Sequence, residues 1–288
     1  MIMKNMKFLV LCALASCTLL TANAAKKVKI DNANIIAEAA QAFKNDDLSK
    51  ALKLYNQVVA NDPQNGVAWA SIAAIYEQAE NTEKGFDAAR KALAALPATD
   101  SANLAWVHYT MAKMYILEGD SAAIVDHLDR TVELQPLDME YKTDRAMTNL
   151  ILGNLDGAES MYKEILKQAP ENEDAMLKMS MIASERGNTY GAIEWLDKLI
   201  KLNPNNADAY ANRAIEYYNL EMINDAVDDM IRSFEVEPGN ELAVKVMSFV
   251  TQNGCTLLKT RVAEKAQTSR DSIWSRLLEE LNAIPLAE

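Results

Sequence analysis

Glycine, cysteine, histidine and positive charge are all in short supply here, and each shortage removes a class of function. The two histidines, His108 and His127, stand 19 residues apart. Neither has a second histidine four residues away with an acid between them, the spacing a helix-borne zinc site uses. Of three cysteines, Cys12 and Cys17 fall in the leader described below, so Cys255 alone remains and no intramolecular disulfide can form. The bland reading of Cys255 is a small residue near a helix start. The nine glycines build no phosphate-cradling loop, and no serine sits in a nucleophile elbow. The acids from Asp225 to Asp229 lack the spacing of a calcium loop and read as a solvated helix face. The chain is therefore expected to be no enzyme and to carry neither cofactor nor metal.

Lysine and arginine total 29 against 41 aspartates and glutamates, for a net charge of −12. No local basic patch offsets that field, so nucleic acid is not an expected partner. Long apolar runs are missing too. The longest, Phe8 to Leu20, has 13 residues, too few to cross a bilayer about 30 Å thick as a helix.

That run follows Lys4 and Lys7 and precedes Thr21-Ala22-Asn23-Ala24, a small-x-small pattern that signal peptidases read. Residues 1–24 are expected to be a cleaved secretory signal, which places the mature chain outside the cytoplasm, in the periplasm of a Gram-negative bacterium. Cleavage at Ala24/Ala25 removes two lysines and no acid, taking the charge to −14. The alternative is a lipobox, Leu14-Ala15-Ser16-Cys17, in which Cys17 becomes a lipidated N-terminus. Against it, the apolar run continues past Cys17 through Leu19-Leu20.

What is present is a ladder. Pro63, Pro97, Pro136, Pro170, Pro204 and Pro238 lie 34, 39, 34, 34 and 34 residues apart. A proline at a fixed phase marks the end of one helix pair and the start of the next, because it cannot continue a helix. With 50% hydrophobic and 24% charged residues, the chain has the composition of a folded protein, and the ladder makes that fold an all-α solenoid. Counting 31 positions back from each proline gives six repeats: 32–63, 66–97, 105–136, 139–170, 173–204 and 207–238. Their eighth position reads Ala39, Ala73, Ala112, Ala146, Ser180, Ala214, and their twentieth Ala51, Gly85, Ile124, Ala158, Ala192, Ala226. Large residues flank these contacts, among them Tyr55, Leu128, Tyr162, Leu196 and Met230 at the twenty-fourth position. Small against large is how antiparallel helices interlock.

This pattern resembles the tetratricopeptide repeat family over roughly residues 32–253, most clearly in the stretches 51–59 and 207–214. The resemblance implies a right-handed superhelical solenoid of about six to seven helix pairs, with an array over residues 25–253 and capping helices over 254–288. Gly119, Gly153 and Gly187 suit the turn between paired helices, whereas Asp46 and Glu221 stand in the corresponding turns of the first and sixth repeats. The five extra residues between Pro97 and Pro136 allow Thr99-Asp100-Ser101 to cap a first helix that begins about one turn early. Ile124, in place of a small residue, is expected to hold the helices of that third repeat further apart.

In this family the first helices line a groove that holds a peptide or a partner helix. The groove-facing positions give Trp106, Tyr109 and Lys113 in the third repeat, Met147 in the fourth, Leu177 and Met181 in the fifth, and Asn212, Ile215 and Tyr218 in the sixth. Aromatic and methionine side chains supply adaptable contact area, so such a floor suits apolar segments of loose sequence. The co-chaperone variant of the family grips a peptide carboxylate with cations and asparagines; only Asn212 matches it in kind, and that activity is not expected. The expected partner is a protein or peptide of the cell envelope. A last helix carries Ile273, Trp274, Leu277, Leu278 and Leu281 on one stripe, either to cap the array or to serve as a surface for self-association. The rival functions are a lipidated component of outer-membrane assembly or cell-wall machinery and, in a different class, an envelope hydrolase.

Overall fold

In the computed structural model residues 23–269 and 271–285 are described, with side chains from Asn32 onward. The leader expected over residues 1–24, Cys17 included, lies outside the described side chains. The chain divides into two compact halves, Met1–Thr148 and Asn149–Glu288. Fifteen helices and no strand occur among the described residues.

In the N-terminal half, α1 (Asn23–Lys44) packs on α2 (Leu48–Asn61), α3 (Gly66–Gln78) on α4 (Thr82–Ala95), and α5 (Ser101–Glu118) on α6 (Ser121–Leu134), with α7 (Met139–Ile151) beginning there. The C-terminal half takes the end of α7 and α8 (Leu155–Gln168). It continues with the pairs α9 (Glu173–Glu185) and α10 (Thr189–Leu202), and α11 (Ala207–Asn219) and α12 (Ile223–Val236). It ends with α13 (Glu241–Gln252), α14 (Thr256–Thr268) and α15 (Ile273–Ala283).

The helices start where the ladder dictates. Two residues after the proline comes an asparagine or aspartate, as in Pro63-Gln64-Asn65, Pro170-Glu171-Asn172 and Pro204-Asn205-Asn206. Its side chain accepts a backbone N–H of the next helix's first turn: Asn65 from Ala68 at 3.0 Å, Asn172 from Ala175 at 2.8 Å, Asn206 from Ala209 at 2.9 Å. Second helices are capped in the same way by Asp47, Asn81, Asp120, Asn154 and Asn188. In the third repeat Asp100 accepts from the Asn103 N–H at 3.2 Å, and α5 begins at Ser101 and runs 18 residues against 13 for α3, α9 and α11. The long proline interval is an added helical turn.

The alternation of small and large residues becomes the core. Ala39, Ala73, Ala112, Ala146, Ser180 and Ala214 are all buried, and so are Tyr55, Leu128, Tyr162, Leu196 and Met230. At Gly85 the approach is closest: a Cβ there would stand 2.3 Å from the Met114 sulfur. Ile124 is half-buried and packs against the small cluster of Ala105, Tyr109, Ala112, Leu128 and Tyr141. At the C-terminus α15 turns its stripe inward. Trp274, Leu277 and Leu281 are buried with Phe234, Met247, Leu258 and Val262, and the Trp274 ring meets Phe234 edge-on at 5.0 Å. The side chains of that stripe are used within the chain, Ile273 and Leu278 included as half-buried neighbours of the same cluster.

The turn between paired helices places one residue in the left-handed region at the same position of every repeat. Gly119, Gly153 and Gly187 adopt φ of 74, 73 and 72°, while Asp46, Glu80 and Glu221 are forced to 63, 54 and 60°. A side chain in that conformation costs about 1–2 kcal/mol. The sixth repeat adds a second defect, because Met222 stands where the others have a capping side chain and makes no cap hydrogen bond, a loss of about 1 kcal/mol. Replacing Glu221-Met222 with Gly-Asn, as in Gly153-Asn154, is expected to stabilise the protein by about 1–3 kcal/mol. Urea denaturation checks this; an unchanged or lower midpoint would contradict the account of the turn.

Candidate functional site: the face of the first helices

Helices spaced one repeat apart present the same positions to the same side, so the exposed residues of α9, α11 and α13 collect on one face of the C-terminal half. A hollow of about 440 Å³ lies there. Leu177 and Met181 reach it from α9, Asp208 and Asn212 from α11, and Leu242 and Lys245 from α13. Met181 in its lining is 42% exposed, and one turn beyond Lys245 on α13 Phe249 is 56% exposed. Phe249 meets Tyr218 edge-on with ring centres 6.0 Å apart. Exposed methionine and aromatic side chains at the same phase of the first helices leave apolar area in water that a partner could cover.

The frame around the hollow is polar and satisfied. The Asn240 side chain accepts the Ala243 N–H at 2.9 Å, which caps α13, and donates to Asp208 at 2.8 Å, which ties that cap to α11. The Asn212 amide donates to the Asp208 carbonyl at 2.7 Å. Behind Ile215, Glu216 is buried and receives the Ser184 hydroxyl at 2.5 Å, joining α11 to α9. Burial holds its carboxyl above the ordinary range, opposed by that hydroxyl. Arg213 spans further: it donates to both oxygens of Asp229 at 2.7 and 2.8 Å and to Asp197 at 2.5 Å.

Leu177, Met181 and Asn212, named from sequence, thus line one hollow, with Ile215 and Tyr218 half-buried on the same helix as Asn212. Leu242, Lys245 and Phe249 are not among the residues named from sequence, although one more step of 34 from Ala207 lands on Glu241, the first residue of α13.

The N-terminal half treats its candidates differently. Tyr109 is 2% exposed, and its hydroxyl donates to Asp144 while its ring packs 4.9 Å from Tyr141. It is a core residue, which corrects its assignment to a partner-binding surface. Burial drives its phenol far above the ordinary value, with the Asp144 bond adding to the effect, and burial likewise raises Asp144. Lys113 is spent on Glu77 of α3 at 2.6 Å. Trp106 and Met147 are half-buried. Among the described residues no group of three or more histidines, cysteines or acids is placed to hold a metal ion, and no helix is long and apolar enough to cross a membrane.

Antiparallel helix pairs repeated every 34 residues, with their first helices presenting a shared face, define a helical-repeat scaffold. Residues 150–215 match the tetratricopeptide repeat family. The chain superposes on the C-terminal part of a tetratricopeptide repeat-containing protein from Cytophaga hutchinsonii with a TM-score of 0.67 at 14% identity, over 86% of this chain and 95% of that one. A tetratricopeptide repeat protein from Parabacteroides merdae ATCC 43184 gives 0.60 at 17% identity, over 87% and 98%. In sequence, Protein FlbA of Caulobacter vibrioides is 27% identical over 220 residues, 76% of this chain and 36% of its own length. The chain spans about a third of the length of the first curated relatives it matches. The fold over the described residues is thus that of tetratricopeptide repeat solenoids, and residues 150–215 carry the family's sequence pattern.

Glu216 offers a test of the wall between α9 and α11. In the unfolded chain its proton leaves near 4.5, whereas in the folded chain burial retains it to higher pH. The stability this group contributes is therefore present at low pH and lost as pH rises through and above 4.5. Glu216→Gln keeps a partner for Ser184 and cannot ionise, so its stability relative to the wild type is expected to grow from pH 4.5 to 7 in urea titrations. A difference that stays flat with pH would contradict the buried placement.

Proposed function

We propose that this chain is a non-enzymatic adaptor of the bacterial cell envelope that takes an apolar segment of a partner protein on the face of α9, α11 and α13. One observation carries the reading: Met181 and Phe249, both large and apolar, are open to solvent beside a hollow whose polar frame is already hydrogen-bonded. A bound segment would gain by covering the apolar groups, while Asn240 and Asp208 keep their bonds to each other. Adaptable side chains of this kind favour segments of loose sequence.

The envelope assignment rests on the leader pattern of residues 1–24 and on the single cysteine left beyond it. The array over 25–253 and its capping helices over 254–288 are proposed as one functional module. Lipidation at Cys17 is the rival form; the mass of the protein isolated from cells separates the two, because a lipidated chain keeps residues 18–24 and gains acyl mass. A hydrolase remains the different-class rival, and it would need a convergent set of acid, base or metal ligands that the sequence does not display.

The direct test places a photoreactive residue at Met181 and at Phe249 in intact cells and identifies what is captured. The same partner segment is expected from both positions. Met181→Asp, which sets a charge on the apolar floor, is expected to weaken that partner at least tenfold, about 1.4 kcal/mol. Equal binding by the substituted protein would remove this face from the function.

A further inference from the structure

Sequence spacing gives the two histidines no common role, yet the fold brings them together. His108 stands on α5 and His127 on α6, and their Nδ1 atoms lie 2.9 Å apart. Both side chains are half-buried. Two imidazole nitrogens at that distance share one proton, one ring donating and the other accepting. The contact therefore requires that at least one Nδ1 be bare.

The surroundings hold the rings in this arrangement. His127 stacks on Tyr115 with ring centres 5.4 Å apart and planes 16° apart, and Tyr115 in turn packs on Phe86 of α4 at 4.5 Å. The charged groups acting on the pair come from α6: Asp126 favours protonation of both rings, and Arg130 opposes that of His108. From α4 comes the uncharged Phe86 ring, and on α3 Glu77 is engaged by Lys113. Burial is the first cause that holds both imidazoles below their ordinary value; for His108 the nearness of His127 comes next, and the two bring it down to about 4.

We propose that the His108–His127 contact is a proton-operated latch between α5 and α6 of the third repeat. Starting from the neutral pair, a first proton goes to the bare Nε2 of the donating ring. It leaves the Nδ1–H···Nδ1 bond in place, now assisted by charge. A second proton has only the accepting Nδ1 to occupy. It removes the acceptor and sets two positive charges face to face, so the bond breaks and α5 is released from α6 at this point. The folded pair binds fewer protons than the unfolded chain between about pH 4 and 6.5, so the latch stabilises the repeat above that window and ceases to do so as pH falls through it. Trp106 and Lys113 ride on the helix it releases. The latch stands whether or not the face of α9, α11 and α13 binds a partner.

Imidazole ¹⁵N spectra of the full chain, recorded across a pH titration, test this together with amide exchange in α5 and α6. The expected result is two coupled titration steps, the lower well below 6.5, with exchange in α5 and α6 rising as the lower step is passed. His127→Phe keeps a ring on Tyr115 and removes the shared proton. At the same acidic pH, where intrinsic exchange rates cancel, wild-type exchange in α5 and α6 is expected to exceed its own neutral-pH value, corrected for intrinsic rate, by at least tenfold more than the variant's does. Independent titration of both rings near 6.5, or the same acid response in the wild type and the variant, would overturn the proposal. Should His127→Phe fail to fold, the two-step titration of the wild type decides alone.

Discussion

Two helices of a pair can lie close only where one presents a side chain small enough for the other's backbone to approach, and the six repeats meet that requirement at a fixed phase of every helix but α6, where Ile124 stands. Ala39, Ala73, Ala112, Ala146, Ser180 and Ala214 satisfy it on the first helices, and Ala51, Ala158, Ala192 and Ala226 on the second, all of them buried. At Gly85 on α4 the same economy serves the next repeat, where Met114 of α5 fills the space a Cβ would need. Tyr55, Tyr162, Leu196 and Met230 then close the gaps to either side. A helix pair of this size cannot bury its apolar faces alone, so each depends on its neighbour for the remaining cover. At the end of the chain α15 supplies that cover with Trp274, Leu277 and Leu281.

Polar ties join each repeat to the one before it. Arg145 reaches Asp129 of the preceding repeat, and Arg213 reaches Asp197, each across 16 residues of sequence. The two pairs occupy equivalent positions, one in each half of the chain. Asn203 and Asn206 hold Glu173 in a similar bridge, at 2.9 Å from each amide to one carboxylate oxygen. Arg213 is mostly shielded and bidentate on Asp229; removing one partner of such a pair leaves a buried charge, a cost of about 3–5 kcal/mol. Surface pairs such as Lys245 with Glu241, at 3.6 Å and largely exposed, contribute on the order of 0.5 kcal/mol.

Repetition made much of this legible before any coordinates. Proline followed two residues later by asparagine or aspartate announces a helix end and the next helix cap, and Asn65, Asn172, Asn206 and Asn240 all perform that role. The five additional residues before Pro136 become the extra turn at the start of α5. Leu177, Met181 and Asn212 were recognisable as neighbours because the same phase recurs in each repeat. The register also reaches α13, so Leu242 and Lys245 were available to the same reasoning. Tyr109 was not: its phase matches that of Leu177, but Tyr141 and Asp144 of α7 cover it, and nothing local to Tyr109 tells of them.

By itself, then, the sequence determined everything that follows from local chemistry recurring at a fixed interval: an all-α chain, the helix boundaries, the small and large core positions, and the residues eligible for the shared face. These depend on capping side chains, on proline, and on side-chain volume, all of which act within a few residues. Tertiary structure decided which eligible residues stay open to solvent, that the stripe of α15 faces inward, and that His108 and His127 share a proton. Each of these depends on contacts between side chains distant in sequence, where burial and the approach of a second group, rather than residue type, set exposure and protonation.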